Sequence, residues 1–219
     1  MRTIVFLVGR PGSGKSTAAR HIAQRLAAYN QPTTHINDYD ILRAMFLADT
    51  DQRLFRATEG GGFDAKDLSV LDEALQEVEQ QARNDREQSG KGLITIEFAR
   101  DDYQGTFGLF SADFLARAHV LYIHADLELC LQRVHQRVAR RTCSDDHPSF
   151  SDELFRYHYA KESVSYIRSQ LNRDYSLGQV TVIKNTSSLD AFLRKVEQFI
   201  LPLCAITSTV QSTPVLSGH

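Results

Sequence analysis

Nine residues near the start of the chain, Gly9-Arg10-Pro11-Gly12-Ser13-Gly14-Lys15-Ser16-Thr17, satisfy every fixed position of the pattern G-x-x-x-x-G-K-[ST]. Each residue type answers a physical demand. A polyphosphate brings several negative charges that must be met once water has left. A loop can meet them with its own N–H groups, provided glycine supplies positive φ and lets the backbone come close. A helix beginning beside Lys15 adds the partial charge of its N-terminus, roughly +0.5. Lys15 carries a mobile full charge to the outer phosphates, and the Ser16 hydroxyl is placed to reach Mg2+. Gly9 through Thr17 are therefore the expected binding residues for a nucleoside triphosphate.

Candidate acids and bases lie further along. The segment His35-Ile36-Asn37-Asp38-Tyr39-Asp40-Ile41-Leu42-Arg43 offers two carboxylates two residues apart, which an extended chain points to one side. A hydroxyl is a poor nucleophile until its proton is accepted. Asp38 is the favoured acceptor, with Asp40 capping a helix predicted over 41–47, but the reverse assignment stays open and Asp40 remains a substrate-side candidate. The run Leu93-Ile94-Thr95-Ile96-Glu97 ends an apolar strand on an acid, the Walker B pattern. Glu97 is thus expected beside the metal shell with Ser16, and at the substrate side. Arg100 follows on the next loop, where its planar guanidinium suits paired hydrogen bonds to an anionic acceptor. Arg133, Arg137 and Arg140 or Arg141 repeat at helical spacing on one face. Closing over a transferring phosphoryl group, they would stabilise its charge, with Arg137 as the expected catalytic arginine. Cys143 and His147 lack a second ligand pair nearby and are not read as a metal site.

Neither the guanine-reading N-K-x-D of GTPases nor the L-S-G-G-Q of transporter ATPases occurs. Over about residues 3–200 the chain instead resembles the nucleoside, nucleotide and small-molecule kinases of the phosphate-loop superfamily. The resemblance rests on the loop, on residues 35–43 and on Ala125-Asp126-Leu127-Glu128-Leu129-Cys130-Leu131-Gln132-Arg133 with Arg137 beyond it. Residues 35–43 are similar to the D-x-D…R segment of adenylylsulfate and shikimate kinases, and to the N-x-D-x-x-R region of polynucleotide and zeta-type toxin kinases. That resemblance implies ATP- and Mg2+-dependent transfer of the γ-phosphoryl group to a hydroxyl or phosphate of a small-molecule acceptor. It also implies that Arg43 binds the acceptor, that Arg133 stacks on adenine, and that the turn at Asn185 reads the adenine edge. A polynucleotide or sugar-nucleotide kinase, and an ATP-binding regulatory module without transfer, are the alternatives.

These residues need a scaffold. Short β-branched and apolar runs at Thr3–Val8, 31–36, Leu93–Phe98, 119–123 and 179–183 lack polar alternation, as strands buried on both faces do. Helical patterns separate them: Ala18, Ile22 and Leu26 in one, Leu68, Leu71, Leu75 and Val78 in another, Leu127, Leu131, Val134 and Val138 in a third. The expected fold is α/β, a doubly wound, mostly parallel five-stranded sheet whose ligand edge lies at the strand C-termini. One domain is expected over 1–204, with a helical substrate-side excursion at 49–92, hinged at Gly60-Gly61-Gly62, a lid region at 127–160 and a loose tail at 205–219.

Composition sets the outer bounds. The 219 residues are 42% hydrophobic and 24% charged, with 25 Lys+Arg against 27 Asp+Glu, so no basic surplus favours nucleic acid. No apolar run approaches the roughly 20 residues of a membrane helix. Three cysteines without a C-x-x-C pair fit a reducing cytoplasm better than a disulfide framework. Oligomeric state leaves no mark in the sequence.

Overall fold

The computed structural model describes residues 2–58, 62–88, 92–140, 152–161 and 163–204. Five strands form one sheet: β1 (Thr3–Val8), β2 (Thr33–Asn37), β5 (Leu93–Phe98), β6 (His119–His124) and β7 (Val180–Lys184). Their order is β2-β5-β1-β6-β7, and every pairing is parallel. The expected sheet is present, with bounds shifted by up to two residues at β2.

The apolar runs read as they do because the sheet is covered on both sides. Along β1 the odd and even positions part company. Ile4, Phe6 and Val8 join one core with Ile94, Ile96, Phe98, Val120 and Tyr122, whereas Val5 and Leu7 join another with Leu93, Leu121, Ile123 and Ile183. The second core is closed by α1 (Lys15–Ala27), through Ala18, Ala19, Ile22 and Leu26, and by α10 (Leu189–Leu203), through Phe192, Val196, Phe199 and Ile200. The first is closed by α3 (Ser69–Gln88), whose Val70, Ala74, Leu75, Val78 and Ala82 recur at helical spacing. Leu68, expected on that stripe, instead precedes the helix and is 61% exposed.

Residues 49–92 depart from a purely helical excursion. They open with a small antiparallel pair, β3 (Phe55–Ala57) and β4 (Phe63–Ala65), before α3 begins. Asp49 organises the entry by accepting the backbone N–H groups of Arg53, Leu54 and Phe55. Phe63 then stacks between Tyr39 and Phe46 of α2 (Asp38–Ala48), fastening the hairpin over the sheet edge. Of the expected glycine hinge, Gly60 and Gly61 lie outside the described residues, as do residues 141–151 of the expected lid and the tail at 205–219. The lid's flanks are α6 (Leu127–Ala139) and α7 (Asp152–Tyr159). Between β5 and β6 run α4 (Tyr103–Phe107) and α5 (Ala112–Leu115); α8 (Val164–Ser169) and α9 (Leu171–Tyr175) lead into β7. No helix among the described residues is long and apolar enough to cross a membrane.

Candidate active site

The loop joining β1 to α1 is held from three sides. Gly9 donates its N–H to the Tyr103 hydroxyl at 2.8 Å, and Tyr103 is itself packed against Phe98 and Tyr122 under the sheet edge. Asn185, after β7, gives its side-chain amide to the Ser13 carbonyl at 2.7 Å. Gly12 lies against the backbone of α6: a Cβ there would come within 2.3 Å of the Cys130 carbonyl oxygen. With φ at +79°, Gly12→Ala suffers both a left-handed penalty of about 1–2 kcal/mol and this collision. We expect that variant to melt several degrees lower and to lose most of its nucleotide affinity, read by thermal unfolding and calorimetry. Gly14, at φ +109°, occupies the N-cap of α1 in the left-handed region, and Gly14 through Thr17 line the cavity.

Sheet order does what the chain order hides. Because β5 lies between β2 and β1, Glu97 is in register with both Leu7 and Asn37. It stands on the same side of β5 as Leu93, toward α1, and accepts the Ser16 hydroxyl hydrogen bond at 2.9 Å. Lys15 Nζ sits 3.9 Å from the same oxygen and donates to the Arg10 carbonyl at 3.1 Å. His35 Nε2 lies 3.4 Å from the other, buried oxygen of Glu97, which has no protein hydrogen bond. Burial pushes the Glu97 carboxyl up, but His35, Lys15 and Ser16 together outweigh it and hold it below its ordinary value. Burial acts the other way on Lys15, whose ammonium is drawn down despite Glu97 and Asp38.

A helix cap places the two carboxylates differently. Asn37, not either aspartate, caps α2, accepting the Tyr39 N–H at 3.1 Å. Asp38 thereby becomes the first helical residue, buried on the cavity wall, whereas Asp40 is exposed and off it. Arg43, one turn on, is likewise exposed and outside the cavity, so the expected acceptor-binding arginine is not placed for that role. Arg100 bonds Asp38 at 2.6 Å and also donates to the Ala99 and Leu71 carbonyls. Even so, burial leaves Asp38 above the ordinary carboxylate value, with Arg100 and Lys15 pulling against it.

These groups face one cavity of about 820 Å3. Pro11, Gly12, Gly14, Lys15, Ser16 and Thr17 line it; Gly9, Arg10 and Ser13 do not. Arg10 instead turns into the protein, where it donates to the Ala125, Tyr159 and Lys161 carbonyls. The expectation that its side chain binds nucleotide gives way to a tie between the loop and the chain following α7. Arg133 and Arg137 of α6 and Arg140 just past its end all reach the cavity wall, while Arg141 lies outside the described residues. Arg137 is near enough to Lys15 to lower the ammonium's proton affinity. Arg133 donates to the Asn185 carbonyl at 3.1 Å. Asn185 lines the cavity too, with its side-chain amide bonded to the Ser13 carbonyl and its N–H to the His124 carbonyl, so it also holds the loop. Tyr39, Phe55, Phe63, Asp64 and Arg20 also line the cavity and were not singled out from sequence. Only the unusual phenylalanines at 55 and 63, within a polar stretch, hinted at a wall there.

The opposed shifts of the two acids carry a stability prediction. Glu97 sits below 4.5, so its contribution is full above that pH and is lost as pH falls through its folded value. Asp38 sits above 3.8, so its contribution is full below that pH and is lost as pH rises through its folded value. Urea unfolding between about pH 5 and 3 should therefore lose less stability in Glu97→Gln than in the parent, and more in Asp38→Asn.

Comparison with known proteins shows the family and the fold. A family model described as an AAA domain matches residues 8–149. Adenylate kinase isoenzyme 1 of Cyprinus carpio is 30% identical over 163 residues, covering 74% of this chain and 78% of the relative. Among solved structures, shikimate kinase from Acinetobacter baumannii in complex with shikimate superposes with a TM-score of 0.52 at 16% identity, over 94% of each chain. The Mycobacterium tuberculosis APS kinase in complex with AMPPNP and APS gives 0.55 at 15%, over 90% and 96%. Chaetomium thermophilum Kti12 in complex with ADP-AlF3 gives 0.56 at 19%, over 92% and 98%.

Proposed function

Since the chain belongs to the P-loop kinase family, through its AAA domain match and its adenylate kinase relative, we propose that it transfers the γ-phosphoryl group of ATP to a hydroxyl of a small-molecule acceptor. One observation carries the reading: Lys15 with Ser16, Asp38 and Glu97 converge from three separate stretches of chain on one cavity of about 820 Å3. Ser16 and Glu97 fit a magnesium ion that keeps most of its waters, because they pair a hydroxyl with a carboxylate whose second oxygen is buried and lacks a hydrogen bond. Such an ion, when bound, neutralises charge on the phosphate oxygens.

The chain's own residues supply the rest. The loop N–H groups and the α1 N-terminus hold the phosphates, and Lys15 follows the charge that develops on the transferring group. Arg137, with Arg133 and Arg140, meets the same charge from α6. Asp38 accepts the acceptor's hydroxyl proton as its oxygen bonds to the γ-phosphorus and the bond to the bridging oxygen of ADP breaks. Arg100 holds that carboxylate in place. A cytoplasmic setting belongs to this reading, on the cysteine usage.

The decisive experiment is an ADP-release screen of the protein with ATP and Mg2+ over nucleosides, nucleotides, sugars, amino acids and other hydroxyl compounds. At least one acceptor should raise ADP release well above the acceptor-free rate. A basal hydrolysis that no acceptor raises would turn the reading toward a nucleotide-switched regulator.

A further inference from the structure

We propose that the acceptor is a hydroxyl compound with a largely apolar body and no net negative charge. The inference rests on the phosphotransferase reading of the site and narrows it.

The cavity has two unlike halves. Among the described residues its basic wall residues other than Arg100 are Lys15 and Arg20 of α1, Arg133 and Arg137 of α6, Arg140 just past α6, and His158 of α7; α1 and α6 flank the loop that would take the phosphates. On the far side of Asp38 the wall comes from α2, the β3–β4 hairpin, the start of α3 and the loop after β5. Tyr39, Leu42, Phe63, Leu68 and Leu71 give that half an apolar surface. Leu68 is 61% exposed although it forms part of this wall, which leaves apolar area for an occupant to cover.

Charge on this half points the same way. Among the described residues, α2, the hairpin, the start of α3 and the loop after β5 bring Asp38, Asp64 and Asp101 to the wall against one base, Arg100. The two terminal nitrogens of that guanidinium are bonded to the Asp38 carboxylate and two backbone carbonyls, and its Nε is buried away from the cavity's solvent. The neighbouring bases turn outward: Arg56 is 71% exposed and pairs with Asp64 across the hairpin, Lys66 donates to the Gln52 carbonyl, and Arg43 is exposed. None of those three lines the cavity. A carboxylate or phosphate on the acceptor would lose its hydration beside carboxylates and find no uncommitted cation on these elements. An uncharged molecule would meet no such repulsion, and a cationic one would be attracted by the same carboxylates.

A matched pair of probes tests this without knowing the acceptor. N-phenyl-1-naphthylamine is uncharged, and 8-anilinonaphthalene-1-sulfonate adds one sulfonate to the same frame. Each would be titrated by fluorescence into the protein held with Mg2+ and a non-hydrolysable ATP analogue. The uncharged probe should bind at least about tenfold more tightly, and Leu68→Asp should weaken it at least about tenfold. Asp64→Asn with Asp101→Asn should narrow the gap between the probes. Equal or tighter binding of the sulfonate, no saturable binding of either probe, or indifference to Leu68→Asp would overturn the proposal. Calorimetry of the ATP analogue on the same samples reports separately on the nucleotide site, so failure of the acceptor class and failure of the kinase reading are told apart.

Discussion

Exchanging Lys15 for alanine should lower phosphoryl transfer by at least about 10²–10³-fold while the protein remains folded. The ammonium is the one full charge carried by the phosphate loop's own motif that reaches the cavity, since Arg10 is turned into the protein. Removing a single preorganised donor at developing charge typically costs that much. The fold loses little, for a reason visible in the proton balance. Burial draws Lys15 below 10.5, so its contribution to stability is full above that pH and is lost as pH falls through the folded value. At neutral pH the charged group is therefore a cost that alanine relieves, set against the lost bond to the Arg10 carbonyl. The melting temperature should stay within a few degrees of the parent. Turnover close to the parent's in a folded variant would remove the loop from the mechanism.

Asp38→Asn should depress kcat by about 10²–10⁴-fold, the usual worth of a positioned general base, with ATP affinity nearly unchanged. Asparagine keeps an oxygen for the Arg100 guanidinium but cannot take a proton from the acceptor. The pH profile separates this from simple misplacement. Arg100 and Lys15 pull the Asp38 carboxyl down against the upward push of burial. Arg100→Ala should therefore move the acid limb of kcat to higher pH, whereas a purely structural role would lower the rate at all pH values alike. The two variants together test Asp38 as base and Arg100 as its positioning residue.

Much of the scaffold was legible because it is written locally. The mostly apolar runs of β1, β5 and β6, without polar alternation, read as strands covered on both faces. The loop from Gly9 to Thr17 was legible in type, but not in direction. Pro11, Gly12 and Gly14 to Thr17 line the cavity, while Arg10 is captured by carbonyls more than a hundred residues away. Sequence favoured Asp38 over Asp40 but left the reverse open, because helix phase hangs on which residue caps, and Asn37 took that place. The same phase carried Arg43 to solvent. The hairpin of three-residue strands was too short to show a period, and what fastens it, the stacking of Phe63 between Tyr39 and Phe46, is a long-range contact.

Sequence by itself determined the chemistry on offer: a phosphate-binding loop, a strand-end acid and an arginine-bearing helix, each set by neighbours within a few positions. Tertiary structure decided which groups meet. The order β2-β5-β1 brings Glu97 to Ser16 and Asp38 to the same cavity, and the packing of α3 and the hairpin builds the acceptor wall. Side-chain direction depends on strand order and on helix phase, and both are settled by burial summed over the whole chain rather than by any segment of it.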